Sequence, residues 1–215
     1  MIGDKLVITE YHRQAAAKVF EQLKPMLEEK DRPVAVSVAG ESGCGKSETA
    51  AVLSELCEKE GYKALILQQD DYFIYPPKTN HQKREEDINW VGMQEVKLDL
   101  MKENVEDIKE GKKSKITKPL VIFDEDRVTE EEVDISDINV VIAEGTYTTS
   151  LSNIDIKAFI DRDYRQTKKS RLERSRDPAT EFLEKVLSIE HGIISQHKEL
   201  ADIIIPPPEE EAKER

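Results

Sequence analysis

The sequence predicts an α/β protein built on a doubly wound, mostly parallel five-stranded sheet with helices on both faces. Two features of the sequence predict this class. Stretches with helical apolar spacing alternate with short apolar segments, and a glycine-rich turn joins the first short segment to the following helix. The short segments have the continuous apolar character of strands buried in a parallel sheet: residues 34–39, 64–67, 140–143, 158–160 and 202–205.

The first elements form a helix followed by a strand–loop–helix–strand unit. Residues 1–32 are predicted as a helical lead-in, because apolar side chains recur there at helical spacing. After the first strand and the glycine-rich turn, a helix is predicted from Lys46 to about Lys59, and Gly61 closes it. The next strand completes a βαβ unit, and ligands of such sheets bind beyond the carboxyl ends of the strands.

Residues 72–118 are predicted as an excursion from the sheet that carries substrate contacts, because they are polar and contain Pro76-Pro77. One amphipathic helix is expected within the excursion, between residues 93 and 108. The chain from 119 to 123 is predicted to be extended, and residues 124–137 are predicted to form an acidic loop.

The last third of the chain contains a basic segment, residues 162–180, which is predicted as a lid. A basic helix is expected over residues 164–174 and a second helix over residues 180–197. The tail 207–215 is expected to be disordered. We expect residues 1–215 to form a single domain.

Composition and charge exclude several classes of function. The 215 residues carry a formal net charge of −13, which disfavours binding to nucleic acid or to anionic membranes. No apolar run approaches the roughly 20 residues that span a bilayer, and no secretory signal is visible. The two cysteines, Cys44 and Cys57, are interpreted as reduced thiols. We therefore expect a cytoplasmic protein.

The glycine-rich turn Gly40-Glu41-Ser42-Gly43-Cys44-Gly45-Lys46-Ser47 is the strongest chemical signal. Glycines let backbone N–H groups converge on phosphate oxygens, and the next helix directs its N-terminus at them. Lys46 is expected to reach the β- and γ-phosphates of a nucleoside triphosphate, and Ser47 to ligate Mg²⁺. The alternative is a chance match in a glycine-rich turn. The candidate nucleotide-binding residues are Gly40, Ser42, Gly43, Cys44, Gly45, Lys46, Ser47 and Glu48.

Acidic residues follow two of the predicted strands. Asp70 and Asp71 follow the second strand, and one of them is expected to accept a proton from an attacking hydroxyl. We favour Asp70, although both acids could simply cap a turn. Glu144 ends the third strand of the predicted sheet and is expected to hold Mg²⁺; the alternative is a solvated loop glutamate.

The basic segment and a few aromatic residues are open to two interpretations. Seven basic residues between 162 and 176 favour a phosphate-binding lid, but a solvated helix face is the alternative. Trp90 is interpreted either as a wall of an acceptor pocket or as packing. The histidines His81, His191 and His197 lack ligand-like spacing and are interpreted as structural.

Taken together, these residues resemble the uridine kinase and phosphoribulokinase family of P-loop kinases, which includes bacterial pantothenate kinase. The resemblance runs in order from about Val34 to Pro206. It lies in the glycine-rich turn and in the stretches Gln69-Asp70-Asp71-Tyr72-Phe73, Val141-Ile142-Ala143-Glu144-Gly145 and Ala201-Asp202-Ile203-Ile204-Ile205-Pro206.

The resemblance implies a P-loop NTPase fold and assigns roles to individual residues. Asp70 would be the general base, and Ser47 and Glu144, together with Asp70, would form the Mg²⁺ set. The lid arginines near the phosphates would be Arg171, Arg174 and Arg176. Where uridine kinases have Asp-His-Pro and Tyr-Asp-Phe stretches, this chain has Asn89-Trp90-Val91-Gly92 and Val121-Ile122-Phe123-Asp124, and its lid looks shortened.

The sequence therefore predicts an ATP- and Mg²⁺-dependent kinase that phosphorylates a hydroxyl of a small metabolite, a nucleoside or related polyol. ATP and GTP are not distinguished, and a homo-oligomer is compatible with the sequence. One alternative is a P-loop ATPase or GTPase switch. A second is a nucleoside monophosphate kinase, which would require an arginine cluster in the excursion, where Arg84 is the only arginine. A third is a catalytically idle binding module.

Overall fold

The computed structural model describes residues 6–29, 31–168, 171 and 180–208. In chain order its strands are β1 (Val34–Gly40), β2 (Ala64–Gln68), β3 (Lys115–Ile122), β4 (Arg127–Asp134), β5 (Val140–Glu144), β6 (Ile156–Ile160) and β7 (Ile203–Ile205). Its helices are α1 (Glu10–Glu29), α2 (Lys46–Lys59), α3 (Pro77–Glu86), α4 (Leu98–Glu110) and α5 (Glu181–His197).

The main sheet has five parallel strands in the order β2-β5-β1-β6-β7, which confirms the predicted fold class. β1 is central and pairs Val34 with Val140 of β5 and Val36 with Ile156 of β6. Every residue of β1 is buried, as expected for a strand covered on both faces. The carboxyl ends of β1, β2 and β5 therefore lie side by side at one edge of the sheet.

Alternate residues of β1 belong to the two cores that cover opposite faces of the sheet. Val36 and Val38 lie in one cluster with apolar residues of α1 and α2. Ala35 and Ala39 lie in a second cluster, which includes residues of α4 and α5. Since side chains along a strand point to opposite faces with a period of two, the sheet is wound on both sides.

The excursion contains more regular structure than the sequence predicted. Two helices form, not one, because α3 precedes the expected amphipathic helix α4. Pro77 lies at the start of α3, where its missing N–H costs nothing, but the helix has no apolar stripe that would reveal it in the sequence.

The acidic loop predicted for residues 124–137 is wrong. Residues 127–134 form β4, which pairs antiparallel with β3 as a separate two-stranded ribbon. Val121 pairs with Val128 and Ile116 with Val133, so a weak alternation of apolar residues marks the strand. The glutamates between them are consistent with an exposed ribbon, where acidic side chains are tolerated.

The C-terminal region is described only in part. α5 begins after Thr180, whose Oγ1 accepts a hydrogen bond from the backbone N–H of Leu183 at 3.1 Å. Most of the predicted lid, including Arg174 and Arg176, and residues 209–215 of the tail lie outside the described residues. In the described part of the chain, no helix has the length and apolarity that crossing a bilayer requires.

Candidate active site

The glycine-rich turn lies between β1 and α2, and its glycines are required by both conformation and contact. Gly43 and Gly45 have φ angles of 77° and 100°, in the left-handed region. A Cβ on Gly43 would lie 2.7 Å from Cγ of Arg171, and one on Gly45 would lie 2.5 Å from Nε2 of His12. The turn is therefore closely enclosed, and Lys46 Nζ donates to the carbonyl oxygen of Glu41 at 2.9 Å.

Two of the candidate nucleotide-binding residues have fully buried side chains. Cys44 packs within the turn, and burial raises the pKa of its thiol. Glu48 is 0% exposed, so its side chain is not presented at the surface of the turn. Arg162, at the start of the predicted lid, is also buried and donates to the Cys44 carbonyl oxygen at 3.2 Å.

Ser47 and Glu144 meet across two separate elements. Ser47 Oγ donates to Oε1 of Glu144 at 3.1 Å, although the residues are 97 positions apart in sequence. Among the described residues, no group of three His, Cys, Asp or Glu side chains could by itself hold a metal ion. One hydroxyl and one carboxylate nevertheless fit Mg²⁺, which takes most of its remaining ligands from phosphate and water.

The adjacent acids Asp70 and Asp71 lie in different environments. Asp71 is 2% exposed; its carboxylate accepts hydrogen bonds from Lys118 Nζ at 3.1 Å and from the Val121 N–H at 3.0 Å. Asp70 is exposed and lines the cavity next to the glycine-rich turn. The geometry therefore makes Asp70 the acid that a ligand in the cavity can reach.

Gln69 fixes the turn that carries these two acids. Its Oε1 accepts from the Tyr147 N–H at 2.7 Å, and its Nε2 donates to Thr146 Oγ1 at 2.8 Å. Gly145 passes so close that a Cβ there would overlap the Gln69 side chain. The ends of β2 and β5 are thus held together, and Asp70 and Glu144 with them.

One cavity of about 290 Å³ collects most of the predicted site residues. The members that line it come from the glycine-rich turn, the start of α2, the turn after β2, the end of β5 and the lid: Ser42, Gly43, Lys46, Ser47, Asp70, Glu144 and Arg171. Within the described residues, the predicted residues Gly40, Cys44, Gly45 and Glu48 do not line it.

Arg171 is the predicted lid arginine that the structure describes. Its Nη1 donates to Thr167 Oγ1 at 2.7 Å and also to the carbonyl oxygen of Tyr164. Thr167 Oγ1 in turn donates to the carbonyl oxygen of Ser42 at 2.8 Å. Arg171 is thereby tied to the glycine-rich turn and presents a positive charge at the cavity.

The far half of the cavity was not predicted from the sequence. Apolar and aromatic side chains form much of its wall: Phe73, Tyr75, Phe123, Phe182, Leu183, Val186 and Leu187. The only sequence signal for them was their position, in the excursion, at the end of the predicted extended segment 119–123, or on the helix predicted over residues 180–197. His81, interpreted as structural, also lines the cavity and packs edge-to-face on Phe182. Trp90 supports the wall from behind, donating to Asn80 Oδ1 at 2.9 Å.

Charged side chains complete this half. Arg84 forms ion pairs with Glu95 at 2.6 Å and with Glu190 at 2.8 Å. Arg84 and Glu190 line the cavity, whereas Glu95 is fully buried behind them. Glu95 is 11 positions from Arg84, but Glu190 is 106 positions away, so no local pattern could reveal the whole cluster.

A buried carboxylate links the glycine-rich turn to α5. Glu41 accepts a hydrogen bond from the Tyr164 N–H at 2.8 Å, and its Oε1 lies 2.6 Å from Nδ1 of His191. Burial raises the pKa of Glu41, and the contact with His191 opposes that shift. The contact is consistent with the structural interpretation of His191.

Comparison of the sequence with known proteins identifies the family to which the chain belongs. The model of the phosphoribulokinase / uridine kinase family matches residues 35–188. The uridine kinase of Ureaplasma urealyticum serovar 10 is 32% identical over 135 residues, which are 60% of this chain and 62% of that enzyme. The bifunctional alpha-galactosidase/sucrose kinase AgaSK of Mediterraneibacter gnavus is 26% identical over 205 residues, 88% of this chain but 22% of that protein. The chain thus matches less than two thirds of the length of either relative.

Solved structures show the same fold at low sequence identity. A structure described as a possible uridine kinase from Bacillus stearothermophilus has a TM-score of 0.62 at 15% identity, covering 90% of this chain and 98% of that one. D-glycerate 3-kinase from Cryptococcus neoformans var. grubii has a TM-score of 0.59 at 15% identity, covering 88% of each chain.

The family model spans β1, the glycine-rich turn, Asp70, Glu144 and Arg171, which are the elements that build the cavity. The chain belongs to the phosphoribulokinase / uridine kinase family of P-loop kinases.

Proposed function

We propose that this chain transfers the γ-phosphoryl group of ATP to a hydroxyl of a small metabolite, as a uridine kinase-like enzyme acting on a nucleoside or related polyol. The observation that carries the proposal is the single cavity lined by Lys46, Ser47, Asp70, Glu144 and Arg171. Relatives named as uridine kinase and sucrose kinase support an alcohol as the acceptor.

The nucleotide half of the cavity is expected to bind the triphosphate. Lys46 and Arg171 supply positive charge, and the helix N-terminus of α2 supplies backbone donors. Ser47 and Glu144 would hold Mg²⁺, which when bound neutralises charge on the phosphate oxygens. Each of these groups lowers the energy of the negative charge that spreads over the transferred group.

Asp70 is expected to orient the acceptor and take its proton. The acceptor oxygen bonds to the γ-phosphorus while the bond to the β–γ bridging oxygen breaks, and ADP leaves. The proton of the acceptor hydroxyl passes to the Asp70 carboxylate, which lines the same cavity. Little covalent chemistry is demanded of the protein, so placement and charge supply most of the rate enhancement.

The two enzyme alternatives are less well supported by the cavity. A switch ATPase needs to position a water, whereas this cavity extends into an apolar, aromatic half that suits an organic acceptor. A nucleoside monophosphate kinase needs arginines free to bind the acceptor phosphate. Arg84 is instead bound to two carboxylates.

ADP release in the presence of different acceptors tests the proposal. ATP and Mg²⁺ are supplied with each of uridine, sucrose, fructose, pantothenate and D-glycerate in turn. A kinase gives a large rise in ADP release with one or a few acceptors, and a phosphorylated product of matching mass. Steady hydrolysis that is indifferent to every acceptor contradicts the proposal and favours the switch.

A further inference from the structure

We infer that Arg84 and Glu190 make this cavity selective for an uncharged, polyhydroxylated acceptor and against acceptors that carry a carboxylate or phosphate. The inference rests on the proposed function, because it concerns the acceptor of that reaction. It adds that the acceptor carries no charge, and it names the two residues that impose this selectivity.

The first observation is that the charge of Arg84 is already neutralised. Glu95 accepts from its Nε at 2.6 Å and from its Nη2 at 3.0 Å, so the pair is bidentate. Glu190 accepts from the same Nη2 at 2.8 Å. One guanidinium thus serves two carboxylates, and the three side chains together carry one net negative charge when both glutamates are ionised.

Glu95 cannot give up Arg84 to a ligand. It is fully buried, and its oxygens also accept from Asn80 Nδ2 at 2.5 Å and from the Gly92 N–H at 2.6 Å. Removing the arginine from such a carboxylate would leave a buried charge without its counter-ion, which is strongly unfavourable. Arg84 is therefore held as a fixed part of the wall.

The second observation is that the cluster keeps one donor and one acceptor for a ligand. Within the part of the chain that the structure describes, Nη1 of Arg84 and Oε2 of Glu190 make no hydrogen bond with protein. Both residues line the cavity. A hydroxyl can accept from the first and another can donate to the second, which suits the neighbouring hydroxyls of a sugar.

The third observation is the surrounding charge and polarity. Asp70 adds another carboxylate to the cavity, and the wall beside Glu190 is apolar, formed by Val186 and Leu187. An anionic group beside Glu190 would meet the Glu190 carboxylate next to this apolar wall. The cations Lys46 and Arg171 also line the cavity, and Lys46 acts on Glu190, but in the proposed reaction both serve the triphosphate. Burial also raises the pKa of Glu190, while Arg84 opposes that shift. The surroundings of Glu190 therefore already disfavour a negative charge on its own carboxylate.

Pairs of acceptors that differ mainly in one charged group test the inference. The pairs are panthenol and pantothenate, fructose and fructose 6-phosphate, and uridine and uridine 5′-monophosphate. For any pair that supports transfer, we expect kcat/KM for the neutral member to be at least about 10-fold higher. Preference for the anionic member would overturn the inference and leave the kinase proposal standing. If no acceptor raises ADP release, the proposed function fails and the inference fails with it.

The variant Glu190→Gln tests the residue itself. Its amide oxygen can still accept from Arg84, so the wall is retained while the charge is removed. We expect KM for the neutral acceptor to rise by about 10-fold, with KM for ATP unchanged, because a hydrogen bond to a charged group is lost. We also expect a smaller ratio of kcat/KM between the neutral and the anionic acceptor. A purely structural role of Glu190 would not change this ratio.

The matched control is Glu181→Gln, which makes the same change on the same helix at an exposed position outside the cavity. It should leave the KM for the neutral acceptor, and the ratio of kcat/KM between neutral and anionic acceptors, at the wild-type values. Thermal melting of both variants verifies that they are folded. An unchanged acceptor KM and an unchanged preference in folded Glu190→Gln would overturn the assignment.

Discussion

At the scale of single residues, the difference between Asp70 and Asp71 comes from a short turn, residues 69–72, at the end of β2. The turn directs neighbouring side chains to different sides. Asp71 meets β3, where Lys118 and the Val121 N–H bind it, and Asp70 meets the cavity. One acid is therefore committed to structure and the other is available for chemistry.

Asp70→Asn is expected to lower kcat by about 10²-fold or more, because an amide cannot take the acceptor proton. ATP binding should stay close to wild type, since the phosphate-binding groups are untouched. Steady-state kinetics with the best acceptor and a nucleotide-binding titration measure the two effects. Unchanged turnover in the variant would remove Asp70 from the role of base.

Asp71→Asn is expected to act on stability. Removing the charge weakens a buried ion pair, and among the described residues Lys118 then keeps Glu131, at 2.5 Å, as its ionic partner. We expect the free energy of unfolding to fall by about 2–3 kcal/mol. Urea unfolding measures the loss, and kcat per folded molecule should remain within a few-fold of wild type. If Asp71→Asn kept wild-type stability but lost turnover, Asp71 would be the base and Asp70 would not.

The sequence offered two adjacent acids as candidates for the base and favoured Asp70, which lines the cavity. It could not show why, because the environment of Asp71 depends on β3, whose Val121 lies 50 residues away in sequence. The pairing of Arg84 with Glu190, 106 positions apart, was invisible for the same reason. Long-range pairings of charged residues leave no periodic signal in the chain.

At the scale of elements, the site depends on how closely the ends of β2 and β5 approach. Gly145, directly after β5, lies against Gln69, directly after β2. Gln69 then bonds to Thr146 and Tyr147, so each strand end fixes the position of the other. This contact sets the spacing between Asp70 and Glu144.

Gly145→Ala is expected to lower the free energy of unfolding by about 1–3 kcal/mol, because the new methyl group overlaps the Gln69 side chain. It should also lower kcat, since Gln69 precedes Asp70. The control is Gly192→Ala in α5, where an added Cβ meets no atom within 4 Å. That variant should be stabilised by about 0.5–1 kcal/mol. Equal stability of the two variants would contradict the close approach of the strands.

The elements of the main sheet were predictable, whereas those of the excursion and of the β3–β4 ribbon were only partly so. Buried parallel strands such as β1 and β5 are continuous apolar runs, because both faces are covered. β4 has three consecutive glutamates and α3 has no apolar face, so neither stands out by hydrophobic pattern. Both are held by tertiary contacts, including the hydrogen bonds from the start of α3 to Asp126.

At the scale of the whole molecule, distant parts of the chain close around the glycine-rich turn. His12 of α1 packs on Gly45, and His191 of α5 contacts Glu41. Both cysteines are buried in the core beneath α1 and α2. Opening of this region therefore requires a large part of the fold to open, and ligand binding should oppose it.

Thiol labelling is expected to be slow in the native protein and slower still with ATP and Mg²⁺. Burial raises the pKa of Cys57 to about 12, so its thiolate is scarce near pH 8. Labelling with a thiol reagent at pH 8 should follow opening of the fold, and bound nucleotide should reduce the rate by at least about 10-fold at saturation.

The pH dependence of stability has a defined sign. The contribution of the Cys57 thiol to the free energy of unfolding is fully present below the unfolded pKa of about 8.5 and is lost as pH rises towards 12.

The variant Cys57→Ala leaves Cys44, in the glycine-rich turn, as the only cysteine, so its labelling rate can be measured separately. Rapid labelling of that thiol without denaturant, or a rate indifferent to nucleotide, would contradict this description.

We propose that the ends of β1, β2 and β5 form one site for a metal-bound triphosphate and its acceptor. A crystal structure with Mg²⁺ and a non-hydrolysable ATP analogue tests it most directly. We expect Mg²⁺ at about 2.1 Å from Ser47 Oγ, with Glu144 binding it directly or through water, and the γ-phosphate facing Asp70. A triphosphate bound away from Lys46 and Ser47, or a γ-phosphate on the far side of the turn from Asp70, would contradict it.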